Sequence, residues 1–151
     1  MRSVSVIGIG ETKMGRHPGR TLRELVSEAG NKAIQDAAID KSQLQALYLG
    51  NFNSSYFCLQ SHTGPMVSEE LGLGNIPTVR TEGACASGSL AFRQALMAIA
   101  AGYYDFVLVG GVEKMTHRQT EEITTGIASA ADVEQEVNLG ITFPSIFALM
   151  A

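Results

Sequence analysis

Glu82-Gly83-Ala84-Cys85-Ala86-Ser87-Gly88 decides how the chain is read, because it lies where one kind of regular structure gives way to another. Before it, Thr78-Val79-Arg80-Thr81 is a short run with β-branched residues, a candidate strand. After it, Ser87 to Ala101 holds small or apolar helix formers such as Leu90, Ala91, Ala95 and Leu96, with Gly102 where a helix C′ residue is expected. This pattern predicts a helix buried nearly all round. Cys85 therefore falls in a strand-to-helix turn, where unpaired backbone N–H groups and the positive end of the helix favour a thiolate. The small neighbours Gly83, Ala84, Ala86, Ser87 and Gly88 permit a tight turn, as at a nucleophile elbow. The N–H of Cys85 itself is a candidate donor to an oxyanion formed on attack. A free cysteine is also among the most buried residue types, so a small hydrophobe packed under a glycine turn fits the same residues. The segment alone leaves both readings open.

Outward from this turn, strands and helices alternate. Asp105-Phe106-Val107-Leu108-Val109-Gly110-Gly111 reads as a strand entering a glycine turn, and Leu47-Tyr48-Leu49-Gly50 as another. Val4-Ser5-Val6-Ile7-Gly8-Ile9-Gly10 is apolar, β-branched and closed by glycines, which predicts a first strand buried on both faces. Thr21 and Glu24 form a capping box, and Leu22, Leu25, Val26, Ala29, Ala33, Ile34 and Ala37 recur at helical spacing to about Ala38. Met66 to Leu71 reads as a short helix after Pro65. The alternation predicts a parallel-sheet α/β unit. Residues 117–140 are polar with no clear period, and Ile141 to Ala151 turns apolar and stops without a cap, as expected of a chain cut inside a larger fold.

Composition removes several classes of function. The chain has 151 residues, 45% hydrophobic and 17% charged, which suits a globular domain rather than a disordered one. A net charge of -4 without a Lys/Arg cluster argues against nucleic acid or an anionic membrane as partner. No run is long enough to cross a membrane and the N-terminus lacks a signal-peptide pattern, so the cytoplasm is expected. Cys58 and Cys85 are the only cysteines, too few for a disulfide framework. Cys58 reads as structural, and with His62 it makes only two ligands, short of a metal site. Gly8-Ile9-Gly10 fails the dinucleotide pattern because Lys13 stands where its last glycine belongs, and no Gly-Lys-Ser/Thr triplet supports a P-loop. His17 and His117 lie in polar segments and are read as surface residues.

Three stretches taken together resemble the thiolase superfamily, in particular its sterol-carrier-protein-type and archaeal members. They are Val6-Ile7-Gly8-Ile9-Gly10-Glu11-Thr12-Lys13, the Cys85 segment, and Gly110-Gly111-Val112-Glu113-Lys114-Met115, with Thr142-Phe143-Pro144 running into Ala148-Leu149-Met150-Ala151 as a fourth. The resemblance implies the N-terminal half of a five-layered αβαβα thiolase fold, with residues 1–116 an incomplete N-terminal domain and 117–151 the start of a loop domain. It implies Cys85 as the catalytic nucleophile that carries an acyl group as a thioester, coenzyme A thioesters as substrates with no bound cofactor or metal, and a homo-oligomer, dimer or tetramer, working with other enzymes of acetyl-CoA metabolism. The family's catalytic histidine and second, acid/base cysteine belong to the C-terminal half, and neither His117 nor Cys58 stands in a matching motif. The isolated chain is accordingly expected to turn over no substrate. Two rivals remain: a ketoacyl-synthase or hydroxymethylglutaryl-CoA-synthase relative, and a noncatalytic scaffold subunit in which Cys85 is structural.

Overall fold

Apolar residues recurring at helical and strand spacing bury themselves on one another in a three-stranded parallel sheet covered by helices. The computed structural model describes residues 2–151. Helix α1 spans Leu22–Asp36, and its start is fixed by the expected capping box: Thr21 accepts from the Glu24 N–H while the Glu24 carboxylate accepts from the Thr21 N–H. It buries Leu22, Leu25, Val26 and Ile34. Strand β1, Ala46–Gly50, follows. A single-turn helix α2 (Ser54–Phe57) and helix α3 (Thr63–Leu71) lead to β2, Thr78–Thr81. The Cys85 turn connects β2 to α4, Ser87–Ala100, and β3 is Val107–Gly111. Helices α5 (Thr120–Ala128) and α6 (Phe143–Met150) complete the chain.

The sheet order is β2-β1-β3, all parallel, with Tyr48 paired to both Val79 and Val109. Being central, β1 has Leu47 and Leu49 each only 1% exposed, which accounts for its unbroken apolar run. Leu47 and Leu49 join Val26, Ile34, Val67 and Leu71 in the main core beneath α1 and α3. Helix α4 packs across β1 and β3.

Two expectations are corrected. Residues 4–10 form no strand: β1 and β3 pair directly, and the segment instead runs along α1, where Gly8 and Gly10 lie against the backbone at Ala33 and Ala29 and the Ile9 N–H donates to Asp36 at 2.9 Å. Val6 and Ile9 are exposed rather than buried on both faces. Helix α4 is not buried all round; it buries Ala91, Ala95 and Ala100 while Phe92, Leu96 and Met97 stay exposed. Within the polar stretch after residue 117, the Glu122 carboxylate accepts from the Gln119 N–H at the start of α5. That helix was hidden because its apolar positions are few and its contacts lie on α2.

Leu47→Ala removes a fully buried side chain from the central strand and is expected to cost about 2–5 kcal/mol. A fall in the urea midpoint with unchanged slope is the readout.

Candidate active site

The turn that carries Cys85 begins where β2 ends and closes before α4 begins. Ala84–Ala86 form a 3-10 turn, and Ala84 takes a left-handed backbone with φ of 47°, a conformation that costs energy for any residue with a Cβ. The Ala84 N–H donates to the Glu82 carboxylate at 2.6 Å. The Ser87 hydroxyl accepts from the Gly83 N–H at 3.0 Å and donates to the Ala84 carbonyl at 2.7 Å. Cys85 sits exposed on this turn. No acceptor among the described residues takes its N–H, and α4 starts without a side-chain cap. The thiol and an unengaged N–H therefore stand together at a helix start, where backbone groups are positive.

Glycines bring this turn down onto the sheet. A Cβ on Gly50 would lie 2.6 Å from both the Cα and the N of Gly88, so the last residue of β1 touches the first turn of α4 with no side chain between them. Gly111, the last residue of β3, lies against the Gly50 carbonyl, a Cβ there meeting it at 3.4 Å. Cys85 is thus placed beyond the carboxyl ends of the parallel strands, the edge at which open α/β sheets bind ligands.

The loop leaving β1 at that edge is held from two sides. Glu113, just after β3, accepts with one carboxylate oxygen from the Phe52 N–H at 3.0 Å, the Asn53 N–H at 3.0 Å and the Asn51 amide at 3.3 Å. From β2, Arg80 donates to the carbonyls of Asn51 and Phe52 at 3.3 and 2.6 Å. Asn51 is 2% exposed and its amide also donates to the Val112 carbonyl. The sequence offered Val112-Glu113 only as part of a resemblance and Ser87 only as a small turn residue; the roles of Gly50, Asn51, Arg80 and Glu113 went unread because each depends on a partner distant in the chain. Only Gly50 left a trace, as a glycine ending a strand.

The remaining candidates lie apart from chemistry. Cys58, half-buried after α2, contacts the Lys114 carbonyl at 3.5 Å. Burial, and then the negative charge of Glu113, push its thiol up, against the opposing pull of Lys114 and Arg118. His117 pairs with the Phe57 carbonyl and His17 with the Lys13 carbonyl, and no cluster that could hold a metal occurs among the described residues. The large apolar cavity, about 580 Å³, lies between residues 3–10 and the core, and Cys85 does not line it.

An exposed cysteine on a strand-to-helix turn beyond a parallel sheet defines the class: an α/β domain with a solvent-facing thiol at the carboxyl edge of its sheet. Comparison with known proteins places it further. The family profile described as the N-terminal domain of thiolase matches residues 4–150. The chain is 48% identical over 151 residues to the acetyl-CoA acetyltransferase of Methanocaldococcus jannaschii, covering all of this chain and 38% of that protein. It is 34% identical over 119 residues to human sterol carrier protein 2, covering 77% of this chain and 21% of that protein. Among solved structures, 3-oxoacyl-[acyl-carrier-protein] synthase III from Aquifex aeolicus superposes with a TM-score of 0.58 at 21% identity, over 65% of this chain and 31% of that one, a likeness of fold alone. The chain belongs to the thiolase family, through its N-terminal domain. It spans about two fifths of the length of the archaeal relative. No helix among the described residues is long and apolar enough to cross a membrane.

Two outcomes follow from this geometry. Glu113→Ala strips an acceptor from three N–H groups and is expected to lower stability by about 2–3 kcal/mol, measured by urea denaturation. With iodoacetamide at neutral pH, Cys85 is expected to alkylate faster than Cys58, and the gap to narrow only above the usual thiol range, because the folded state holds the Cys58 proton; peptide mapping across pH reads both sites.

Proposed function

We propose that this chain is the nucleophile-bearing part of an acetyl-CoA acyltransferase, in which Cys85 carries the acyl group. The observation that carries the reading is the exposed Cys85 thiol, with its own unengaged N–H, on the strand-to-helix turn at the carboxyl edge of the sheet. Kinship with an acetyl-CoA acetyltransferase supports the substrate class.

In the reaction so assigned, the Cys85 sulfur attacks the thioester carbonyl of an acyl-CoA. The carbonyl oxygen gains the negative charge, and in this proposal the Cys85 N–H donates to it. Collapse of this intermediate breaks the bond to the coenzyme A sulfur, which leaves and takes up a proton in place of the one the Cys85 thiol gave up on attack, while the acyl group stays on Cys85. The acyl-enzyme is then consumed by a coenzyme A thiol or by an acetyl-CoA carbanion. Activating the thiol or forming the carbanion requires a group that removes a proton. His17 and His117 are each paired to a backbone carbonyl, Cys58 is half-buried after α2, and none of the three hydrogen-bonds to Cys85. The proton-transfer groups belong, on this reading, to the C-terminal part of the thiolase fold, and a cytoplasmic homo-oligomer is the expected form of the complete enzyme.

Incubation with acetyl-CoA should place one acetyl group on Cys85, found by peptide mass; Cys85→Ala abolishes it and Cys58→Ala leaves it. No turnover of acetoacetyl-CoA is expected from the 151-residue chain. Thiolytic cleavage by this chain, lost in Cys85→Ala, would overturn the assignment of the base to the C-terminal part, and absence of any Cys85 acetylation would overturn the nucleophile itself.

A further inference from the structure

We infer that Ser87 is a positioning residue for Cys85: its hydroxyl closes the turn and holds the thiol in register with the start of α4. The inference rests on Cys85 being the reactive thiol and goes beyond it by naming what keeps it in place. Ser87 is 5% exposed, so its hydroxyl is removed from solvent and must find partners inside the protein. It finds both on the turn itself. The Oγ accepts from the Gly83 N–H before the cysteine and donates to the Ala84 carbonyl, and the Ser87 N–H donates to that same carbonyl. Ala84 sits between these bonds at φ of 47°, a backbone state that an alanine leaves unless its neighbours hold it. The residue carrying the hydroxyl is itself immobilised, because its carbonyl carbon lies within 2.6 Å of where a Gly50 Cβ would stand. Ser87 thus transmits the fixed contact between β1 and α4 to the turn on its other side. It touches neither thiol nor substrate; it acts through Ala84 and Gly83.

The test compares Ser87→Thr with Ser87→Val in the 151-residue chain. The two side chains have the same shape, so any crowding against Gly50 is common to both, and only the hydroxyl differs. Two rates are read at Cys85 by peptide mass. One is alkylation by iodoacetamide, in which a carbon–sulfur bond forms, iodide leaves and the thiol proton passes to solvent. The other is acetylation by acetyl-CoA, in which the coenzyme A thiol leaves. Cys58 alkylation in the same molecules reports on the integrity of the fold. The expected result is a Cys85 alkylation rate roughly tenfold lower in Ser87→Val than in Ser87→Thr, with Cys58 equal in both, since displacement of a reacting group by about an ångström has effects of this size or larger. Acetylation should fall in parallel. Equal Cys85 alkylation in the two variants, or a change at Cys58 as large as that at Cys85, overturns the positioning role. If the unsubstituted chain is alkylated but never acetylated at Cys85, the acyl-carrier reading fails, and the alkylation ratio alone decides the role of Ser87.

Discussion

The contact on which this structure depends involves no side chain on one partner. Gly50 ends the central strand exactly where the first turn of α4 crosses it, and any Cβ there would overlap the backbone of Ser87 and Gly88. Interiors pack as densely as organic crystals, so a misfit of this size cannot be absorbed without moving the helix. Moving α4 would lift Ser87, and with Ser87 the turn that presents Cys85. Gly111 repeats the arrangement at the end of β3, where it lies against the Gly50 carbonyl. The carboxyl edge of the sheet is therefore a fixed platform whose height is set by backbone atoms.

Around this platform the polar groups left over at the strand ends are satisfied by charged side chains rather than by more sheet. Beyond Gly50 the chain turns away, and its N–H groups at Phe52 and Asn53 would stand unpaired without the Glu113 carboxylate. Arg80 does the same for the carbonyls of Asn51 and Phe52. One acidic residue just after β3 and one basic residue on β2 thus grip opposite polarities of a single loop. Segment 117–129 then docks on that loop through Asn53, which donates to the Gly126 carbonyl and Ser129, and through Arg118, which donates to the Phe57 carbonyl. The family kinship and this loop-centred network are consistent with one another: the motif Gly110-Gly111-Val112-Glu113 supplies both the glycine beneath the platform and the carboxylate that holds the loop.

Elements with strong local signals were legible in the sequence. The capping box at Thr21, the apolar run of β1 and the boundary from Thr81 to Ser87 all appear where composition and periodicity place them. Residues 4–10 have the composition of a buried strand and yet lie along α1 with Ile9 exposed, because strand propensity describes a half-buried pleated surface and is settled by which partner edge is taken. Phe92, Leu96 and Met97 look like core residues by type, and only the placement of α4 on the sheet shows that they stay exposed.

By itself, the sequence determined an alternating α/β domain, a cysteine at a strand-to-helix turn, and a resemblance to thiolases that comparison bears out. These follow from interactions spanning a few residues: caps, periodicity and the small side chains that let a turn close. The tertiary structure alone decided that Gly50 lies under Gly88, that Glu113 reaches back across some sixty residues to Phe52 and Asn53, and that the Ser87 hydroxyl, pressed between sheet and turn, reaches back past Cys85 to both its partners, the Gly83 N–H and the Ala84 carbonyl. The reason is physical: a close backbone approach or a buried acceptor is specified by the residue it meets in space, and for Gly50 and Glu113 that residue lies far along the chain.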